Sequence, residues 1–267
     1  MKLQNRVFVV TGGGNGIGRK VVLLLLTRGA RVAAVDRRAE ALDTTRELAG
    51  DGALRLTSHV ADITDPAAVD AVRAEILAAH GHVDGLLNVA GVIQRFVPIA
   101  DLSLEEVDRV MRVNFWGTVH MVKAFLPVLL ERPEAAIVNV SSMGGLVPVP
   151  GQGAYGASKA AVKLFTEDLY AELRATHVAV TVVFPGGVGT NITANSGVEA
   201  PRMAAGAKAP TVTAPEDAAR MIVDGMVEGR FRVVIGRDAR MLDLMGRIAP
   251  RRAITMIADK MSALLAG

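Results

Sequence analysis

The chain has 267 residues, 51% of them hydrophobic and only 4% aromatic, which allows one α/β domain or two small ones around an aliphatic core. Thirty basic residues against twenty-seven acidic ones give a net charge of +3, and this small excess argues against a nucleic-acid partner. The absence of cysteine excludes disulfides and thiolate metal sites, and no other metal site is predicted. The polar residues 1–6 are unlike a signal peptide, and no apolar run reaches about 18 to 20 residues, so we expect a cytoplasmic protein.

The first predicted strand leads into a glycine-rich turn. An apolar run at residues 7–10 predicts a strand that is buried on both faces, and Thr11-Gly12-Gly13-Gly14-Asn15-Gly16-Ile17-Gly18 follows it directly. A helical pattern then covers residues 19–28. Because glycine lets the backbone approach a ligand and a helix N-terminus offers free N–H groups, this order of elements predicts a pyrophosphate site. A flexible loop between two elements is the alternative.

A second predicted strand, residues 31–36, ends in a carboxylate. Asp36 lies eighteen residues beyond Gly18, near the spacing of about 20 at which an acidic residue binds an adenosine ribose. A carboxylate there repels a 2′-phosphate and favours NAD, whereas the adjacent Arg37 and Arg38 would favour NADP. We predict NAD, with NADP left open, and a strand-end cap is the structural alternative for Asp36.

Strands and helices continue to alternate after this point. We predict a helix over residues 39–49, a strand over 54–60, a helix over 65–79 and a strand over 83–89. His80 and His82 follow the second of these helices and are predicted to be surface caps rather than ligands.

A long helix is predicted over residues 104–130. The capping-box pair Ser103 and Glu106 opens it, and Pro127 is expected to bend or end it. Asn114 lies in its middle, where asparagine is a mediocre helix former and a buried amide needs partners. A structural hydrogen bond to a neighbouring strand and a catalytic role suit this position equally.

The strand predicted over residues 135–140 leads to candidate reactive groups. Ser142 ends this region, and Tyr155 and Lys159 follow at a spacing that places both side chains on one helix face. A free phenol has a pKa of about 10, and a nearby ammonium lowers it by favouring the phenolate. These three residues predict a proton-transfer site. The alternative is an amphipathic helix with a tyrosine and a lysine on its surface.

The last third of the chain completes the predicted sheet. A helix over residues 157–175 precedes a strand over 178–184, and Pro185 to Thr190 lie at its carboxyl end, where ligands collect in open α/β sheets. Residues 191–210 are predicted to form a mobile flap, followed by a helix to residue 227 and a strand over 231–235. The whole pattern predicts a single α/β domain with a doubly wound parallel sheet of about seven strands and helices on both faces.

Residues 237–267 are predicted to be a helical extension packed on the domain of residues 1–236. An apolar face begins near Pro250, and the residues that precede or open it include Arg237, Arg240, Arg247, Arg251 and Arg252. Packing on the body or on a neighbouring subunit is the simpler interpretation. Contact with an anionic membrane, or lining of an opening for a lipid-like substrate, is the alternative.

Six motifs occur in order along residues 6–236. They are Thr11-Gly12-x-x-x-Gly16-x-Gly18, Asn88-x-Ala90-Gly91, Asn114, Ser142, Tyr155-x-x-x-Lys159 and Pro185-Gly186-x-Val188-x-Thr190. This set resembles the short-chain dehydrogenase/reductase superfamily, with Val89 as a mild departure from the asparagine often found there. The resemblance implies a Rossmann-type fold, hydride transfer between a nicotinamide and an alcohol or ketone, and a homodimer or homotetramer.

The resemblance also implies a role for each matched residue. Tyr155 would exchange the hydroxyl proton, Lys159 would lower the phenol pKa and bind the nicotinamide ribose, and Ser142 would hold the substrate oxygen. Asn114 would anchor a water in a proton relay. The cofactor-binding set would be Gly12, Asn15, Gly16, Ile17, Gly18, Asp36, Arg37, Asp62, Ile63, Asn88, Ala90, Gly91, Tyr155, Lys159, Pro185, Gly186, Val188 and Thr190.

The substrate is predicted from the walls of the expected site. Residues 93–98, 143–150 and 191–203 are mostly apolar, with Arg95 and Arg202 as exceptions that could pair with an acid. We therefore expect a hydrophobic secondary alcohol or ketone, such as a steroid, a fatty acyl derivative or a xenobiotic. An NADPH-dependent ketoreductase is the alternative of the same class, and a non-catalytic dinucleotide-binding regulator is the alternative of another class.

Overall fold

The protein forms a seven-stranded parallel sheet, seen in a computed structural model that describes residues 1–199 and 212–265. The strands are β1 (Val7–Thr11), β2 (Arg31–Asp36), β3 (Leu56–Val60), β4 (Gly85–Asn88), β5 (Ala135–Val140), β6 (Val178–Pro185) and β7 (Arg232–Ile235). Their order in the sheet is β3-β2-β1-β4-β5-β6-β7. The order changes direction between β1 and β4, and in sheets of this kind ligands bind beyond the carboxyl ends of the strands at such a point.

Helices cover both faces of the sheet, as predicted. They are α1 (Gly16–Thr27), α2 (Ala39–Leu48), α3 (Pro66–His80), α4 (Leu104–Met111), α5 (Gly117–Leu130), α6 (Gly153–Leu173), α7 (Ile192–Asn195), α8 (Pro215–Val227), α9 (Arg237–Ile248) and α10 (Pro250–Leu265). The predicted single α/β domain with a doubly wound sheet is therefore confirmed. Most of the predicted flap, residues 200–210, lies outside the described residues, as does Arg202.

The central strand β1 shows why an unbroken apolar run was a reliable strand signal. Phe8 and Val10 belong to a core cluster that includes side chains of α1 and α8. Val7 and Val9 belong to a second cluster, on the other face, that includes side chains of α3, α5 and α6. Successive residues of a strand point to opposite faces, so both faces of β1 need apolar side chains.

Residues 104–130 form one continuous helical segment, as predicted, with an irregularity in the middle. A π-helical turn at Arg112–Trp116 joins α4 to α5. Ser103 caps the start, since its hydroxyl accepts a hydrogen bond from the Glu106 N–H at 3.3 Å. Pro127 does not end the helix, which continues to Leu130.

The same segment bears on the expectation drawn from the length of apolar runs. It is long and apolar enough to cross a bilayer by length and composition, although no single apolar run is long enough. Met121, Phe125 and Leu129 are fully buried in the core cluster beneath the sheet. This packing is that of a core helix.

Several element boundaries and the setting of one histidine differ from the predictions. A 3-10 helix over Gly50–Arg55 takes the start of the predicted third strand, and α6 begins at Gly153 rather than 157, so that it includes Tyr155. His80 is buried, not a surface cap: its Nε2 lies 2.8 Å from the Thr57 hydroxyl. Burial, with nearby Arg31 and other positive groups, lowers its pKa to about 4.

The extension after β7 is helical, as predicted for residues 237–267, and it forms two helices. The predicted apolar face begins at α10, and the arginine-containing residues before it form α9. Leu242 of α9 and Ala253 and Ile257 of α10 form a small core cluster with Val147, which follows β5. The extension therefore packs beside the loop that leads from Ser142 to Tyr155.

Candidate active site

A cavity of about 500 Å³ lies at the carboxyl ends of the strands, on both sides of the switch point. It brings together every predicted catalytic or cofactor-binding residue except Asn88 and Asn114. Those that line it are Gly12, Asn15, Gly16, Ile17, Gly18, Asp36, Arg37, Asp62, Ile63, Ala90, Gly91, Ser142, Tyr155, Lys159, Pro185, Gly186, Val188 and Thr190.

The glycine-rich turn forms part of the cavity wall and fits a phosphate group. A Cβ at Gly18 would lie 2.1 Å from the Gly12 carbonyl oxygen, so the turn closes only with glycine at this position. Asn15 caps α1, because its side-chain oxygen accepts a hydrogen bond from the Gly16 N–H at 2.6 Å. Gly16, Ile17 and Gly18 line the cavity. The first turn of α1, with the positive end of the helix dipole, therefore opens onto it.

Asp36 lies beside this turn and braces it. One carboxylate oxygen accepts a hydrogen bond from the Gly14 N–H at 3.1 Å, and the other accepts one from the Arg38 N–H at 3.2 Å. The side chain thus has the capping role considered for it, and it also lines the cavity. Arg37 and Arg38 line the cavity too, so groups that favour a ribose and groups that favour a phosphate meet here.

Tyr155 and Lys159 lie on the first two turns of α6, and both line the cavity. The Lys159 ammonium is buried and donates a hydrogen bond to the Val140 carbonyl at 2.9 Å. Burial lowers the pKa of Lys159 to about 8. Burial raises the pKa of the Tyr155 phenol, and a hydrogen bond with the Ser142 side chain only partly offsets this.

The direction of the Tyr155 shift corrects the prediction. A neighbouring ammonium was expected to lower the pKa of Tyr155, but desolvation of the phenolate raises it, and the group that acts in the lowering direction is the Ser142 hydroxyl. The phenol is therefore protonated at neutral pH, which is the form that donates a proton.

The two adjacent serines after β5 have different partners. The Ser141 hydroxyl donates to the Lys159 carbonyl at 2.7 Å and so braces α6. The Ser142 hydroxyl accepts from the Gly144 N–H at 3.1 Å and hydrogen-bonds the Tyr155 phenol. These contacts favour Ser142 as the serine that acts with the tyrosine.

Asn114 lies behind the cavity wall, and within residues 1–199 and 212–265 its side chain bonds to Val92 and Ser158. Its side-chain oxygen accepts from the Val92 N–H at 2.8 Å, and its Nδ2 donates to the Val92 carbonyl and the Ser158 hydroxyl, both at 2.9 Å. A Cβ at Gly91 would lie 3.2 Å from the Lys159 Nζ and 3.3 Å from the Asn114 oxygen. The proton-relay role of Asn114 stays a prediction.

Asn88 is also buried away from the cavity. Its Nδ2 donates to the Asn139 side chain at 2.9 Å, and these two residues pair directly across β4 and β5. The backbone that follows β4 is held instead by Thr11, whose hydroxyl accepts from the Val89 and Ala90 N–H groups at 3.1 and 3.2 Å.

The structure adds lining residues that the sequence motifs did not reveal. Gln152, three residues before Tyr155, lines the cavity although it is buried, and Asn195 reaches it from α7. Met261 reaches it from α10. Asn195 and Met261 belong to helices that follow the motifs, and no local pattern marks a residue brought to the site by a later helix. Gln152 lies beside the Tyr155 motif, but a single glutamine before a helix carries no signal of its own.

The apolar walls lie where they were expected. Ile93, Phe96, Met143 and Val149 line the cavity. Arg95 does not line it, because its guanidinium pairs with Glu106 at 3.0 Å. Within residues 1–199 and 212–265, no group of three histidine or acidic side chains could hold a metal ion.

Comparison with known proteins decides the family. Residues 6–200 match the family model described as short chain dehydrogenase. The chain belongs to the short chain dehydrogenase family. The resemblance inferred from six motifs is thereby confirmed.

Relatives of this short chain dehydrogenase match it along nearly its whole length. The protein SadH of Mycobacterium tuberculosis is 37% identical over 257 residues, which are 92% of this chain and 91% of SadH. A short chain dehydrogenase/reductase from Burkholderia phymatum, solved in complex with NAD, superposes with a TM-score of 0.85 at 25% identity and covers 95% of this chain and 97% of its own. A short chain dehydrogenase from Burkholderia cenocepacia, solved with NADP, superposes with a TM-score of 0.80 at 28% identity and covers 96% of this chain and 99% of its own.

Proposed function

We propose that this short chain dehydrogenase transfers hydride between a nicotinamide cofactor and a hydrophobic secondary alcohol or ketone. The observation that carries the proposal is one cavity lined both by the glycine turn with the first turn of α1 and by Ser142, Tyr155 and Lys159. A dinucleotide needs the first feature, and proton exchange with a substrate oxygen needs the second.

The proposed cofactor is NAD, with NADP possible. The glycine turn and the first turn of α1 would hold the pyrophosphate, and Asp36 would bind the adenosine ribose. Structural neighbours solved with NAD and with NADP support this range. When bound, the nicotinamide supplies the hydride acceptor or donor.

Each of the three reactive side chains has a distinct proposed task. Ser142 holds the substrate oxygen by a hydrogen bond, next to the phenol that it already contacts. Tyr155 gives its proton to a ketone oxygen or takes one from an alcohol. Lys159 is a buried cation held at the Val140 carbonyl. It favours negative charge nearby and so opposes the rise in the phenol pKa that desolvation causes.

The nature of the walls supports a hydrophobic substrate. Ile93, Phe96, Met143, Val149 and Met261 give the substrate end of the cavity an aliphatic and aromatic surface. A steroid, a fatty acyl derivative or a xenobiotic ketone would bury apolar area there, at about 25 cal/mol per Å².

An assay of both reaction directions tests the proposal. Purified protein is mixed with NAD or NADP and a panel of secondary alcohols, or with the reduced cofactors and the matching ketones, and the reduced nicotinamide absorbance is followed. We expect turnover with NAD that increases with substrate hydrophobicity. Turnover with NADPH and ketones alone would support the ketoreductase alternative. Cofactor binding without any turnover would support a regulator and contradict the proposal.

A further inference from the structure

A buried glutamine from the loop after β4 holds the start of the helix that carries Tyr155. Gln94 has no exposed surface, and its side-chain oxygen accepts hydrogen bonds from the Ala154 N–H at 2.7 Å and the Tyr155 N–H at 3.1 Å. Its amide nitrogen, Nε2, donates a hydrogen bond to the Gly151 carbonyl at 2.9 Å. All three hydrogen bonds join residues that are about sixty positions apart in the sequence.

The helix start needs this support because nothing local provides it. The first N–H groups of a helix have no partners within the helix, and a side chain at the N-cap position usually accepts from one of them. The N-cap residue of α6 is Gln152, and its side chain makes no capping hydrogen bond. Gln94 supplies the missing acceptor from outside the helix.

Gln152 completes the connection in the opposite direction. Its Nε2 donates to the Gln94 backbone carbonyl at 2.9 Å. Four hydrogen bonds thus join the two glutamines, Gly151 and the first turn of α6 into one buried cluster, which we term the glutamine clamp. The clamp connects the loop after β4, which lines the cavity at Gly91 to Ile93, to the backbone of Tyr155.

We propose that Gln94 is a positioning residue that fixes the Tyr155 phenol at the substrate oxygen by capping α6 from the loop after β4, with Gln152 locking that loop in place. This inference rests on the proposed function for its consequence in catalysis. Its physical reason is that a proton donor must be held close to one position, and a displacement of about 1 Å can cost about 10²-fold in rate. A first helical turn without a cap would allow such a displacement.

Kinetics of two substitutions at position 94 test the clamp. Gln94→Met keeps the volume and removes both acceptor contacts, so we expect kcat to fall about 10-fold to 100-fold while KM and the cofactor Kd change little. Gln94→Glu keeps the acceptor oxygen, and at this fully buried position its neutral form also keeps a donor for the Gly151 carbonyl, so it should recover at least about tenfold of that loss. Gln4→Met is the control, since Gln4 is an exposed glutamine near the start of the chain.

A measurement without turnover separates this inference from the proposed function. The chain has only two tyrosines, so phenolate absorbance in a Tyr170→Phe background reports Tyr155 alone. In the parent, burial keeps the pKa of Tyr155 above its ordinary value. Gln94→Met should lower the titration midpoint toward the value of about 10 of a solvated phenol, because the released turn admits water.

The kinetics and the phenol titration together test the glutamine clamp. A lower Tyr155 midpoint in Gln94→Met supports the clamp even if no substrate of the enzyme has been found. An unchanged midpoint, or a kcat within threefold of the parent once the folded fraction is accounted for, overturns it. Equal kcat losses in Gln94→Met and Gln94→Glu also overturn it, because the acceptor oxygen would then not be the group that matters.

Discussion

At the scale of single residues, the site removes two ionisable groups from much of their water: Lys159 is buried and Tyr155 is partly buried. Burial raises the pKa of Tyr155 and lowers that of Lys159 to about 8, so both groups are shifted toward neutrality. A neutral phenol is the acid that ketone reduction uses, whereas alcohol oxidation needs the phenolate. We therefore expect the oxidation rate to rise with pH through the alkaline range.

The first prediction concerns the phenol itself. Tyr155→Phe removes the proton donor but keeps the ring, so kcat should fall by about 10²-fold or more while the cofactor Kd stays within a few-fold. Steady-state kinetics and cofactor titration measure the two effects. Turnover within a few-fold of the parent would reject the assignment of Tyr155.

The second prediction concerns cofactor choice. Asp36→Ala removes the carboxylate that would bind the ribose and repel a 2′-phosphate, so NAD affinity should fall more than NADP affinity. The loss of bonds to the Gly14 and Arg38 N–H groups will weaken both cofactors to some extent. Titration of each cofactor measures the ratio. Equal losses for both would remove the basis for preferring NAD.

The third prediction uses the buried ammonium. Between pH 8 and about 10.5 the unfolded chain keeps the Lys159 proton that the folded chain loses, so stability from this group rises with pH in that window. Lys159→Met removes the cost of burying the cation but leaves the Val140 carbonyl unpaired. It should stabilise the protein by about 2 kcal/mol at pH 7.

Urea unfolding of parent and Lys159→Met at pH 7 and pH 10 checks this. The advantage of the variant should shrink at the higher pH, where the parent lysine is already neutral when folded. A variant that is less stable than the parent at pH 7 would show that the Val140 hydrogen bond outweighs desolvation.

At the scale of elements, the pair β3 and α3 contains a chain of polar side chains far from the site. The His80 Nε2 lies 2.8 Å from the Thr57 hydroxyl, which lies 2.9 Å from the His59 Nε2, and the His59 Nδ1 lies 3.1 Å from Glu75. The His80 Nδ1 has no partner within the described part of the chain. Protonation of this imidazole would bury an uncompensated charge.

The fourth prediction follows from that arrangement. The folded pKa of His80, about 4, lies below the ordinary 6.5, so its contribution to stability is complete above pH 6.5 and is lost as the pH falls toward 4. The loss amounts to about 3 kcal/mol at most. His80→Gln should remove this part of the acid sensitivity, whereas the exposed His177→Gln should not. Denaturant unfolding at pH 7 and pH 4.5 gives the loss of unfolding free energy between the two pH values. An equal loss in the parent and in His80→Gln would contradict the prediction.

Elements also show how far sequence alone could lead. Strands such as β1 and β5 were predictable because they are buried on both faces and need unbroken apolar runs. The π-turn around Asn114 was not, because it follows from that side chain reaching Val92, which is remote in sequence. For the same reason the motifs located Tyr155 and Lys159, but not Gln94, Met261 or the upward shift of the phenol pKa. Burial and contacts across the fold determine all three.

At the scale of the whole molecule, an apolar surface on two adjacent helices favours self-association. The rings of Phe115 and Phe165 meet edge to face with centroids 6.2 Å apart, joining the π-turn to α6. Their sequence neighbours Trp116 and Leu164 remain exposed by 49% and 66%. Both are large apolar side chains, and exposed patches of this kind mark interaction surfaces. We propose a homodimer or homotetramer formed through this face. The cytoplasmic location expected from the sequence stays a prediction.

The fifth prediction tests that face. Leu164→Glu places a charge at the centre of the proposed contact, where burial would cost far more than it does on a free surface, so the assembly should dissociate to a smaller mass. Leu54→Glu is the matched control, because Leu54 is also an exposed leucine, 94% accessible, on the 3-10 helix before β3. Light scattering after size exclusion gives the masses. A monomeric parent, or the same mass for the parent and both variants, would reject the interface and leave Trp116 and Leu164 as ordinary surface residues.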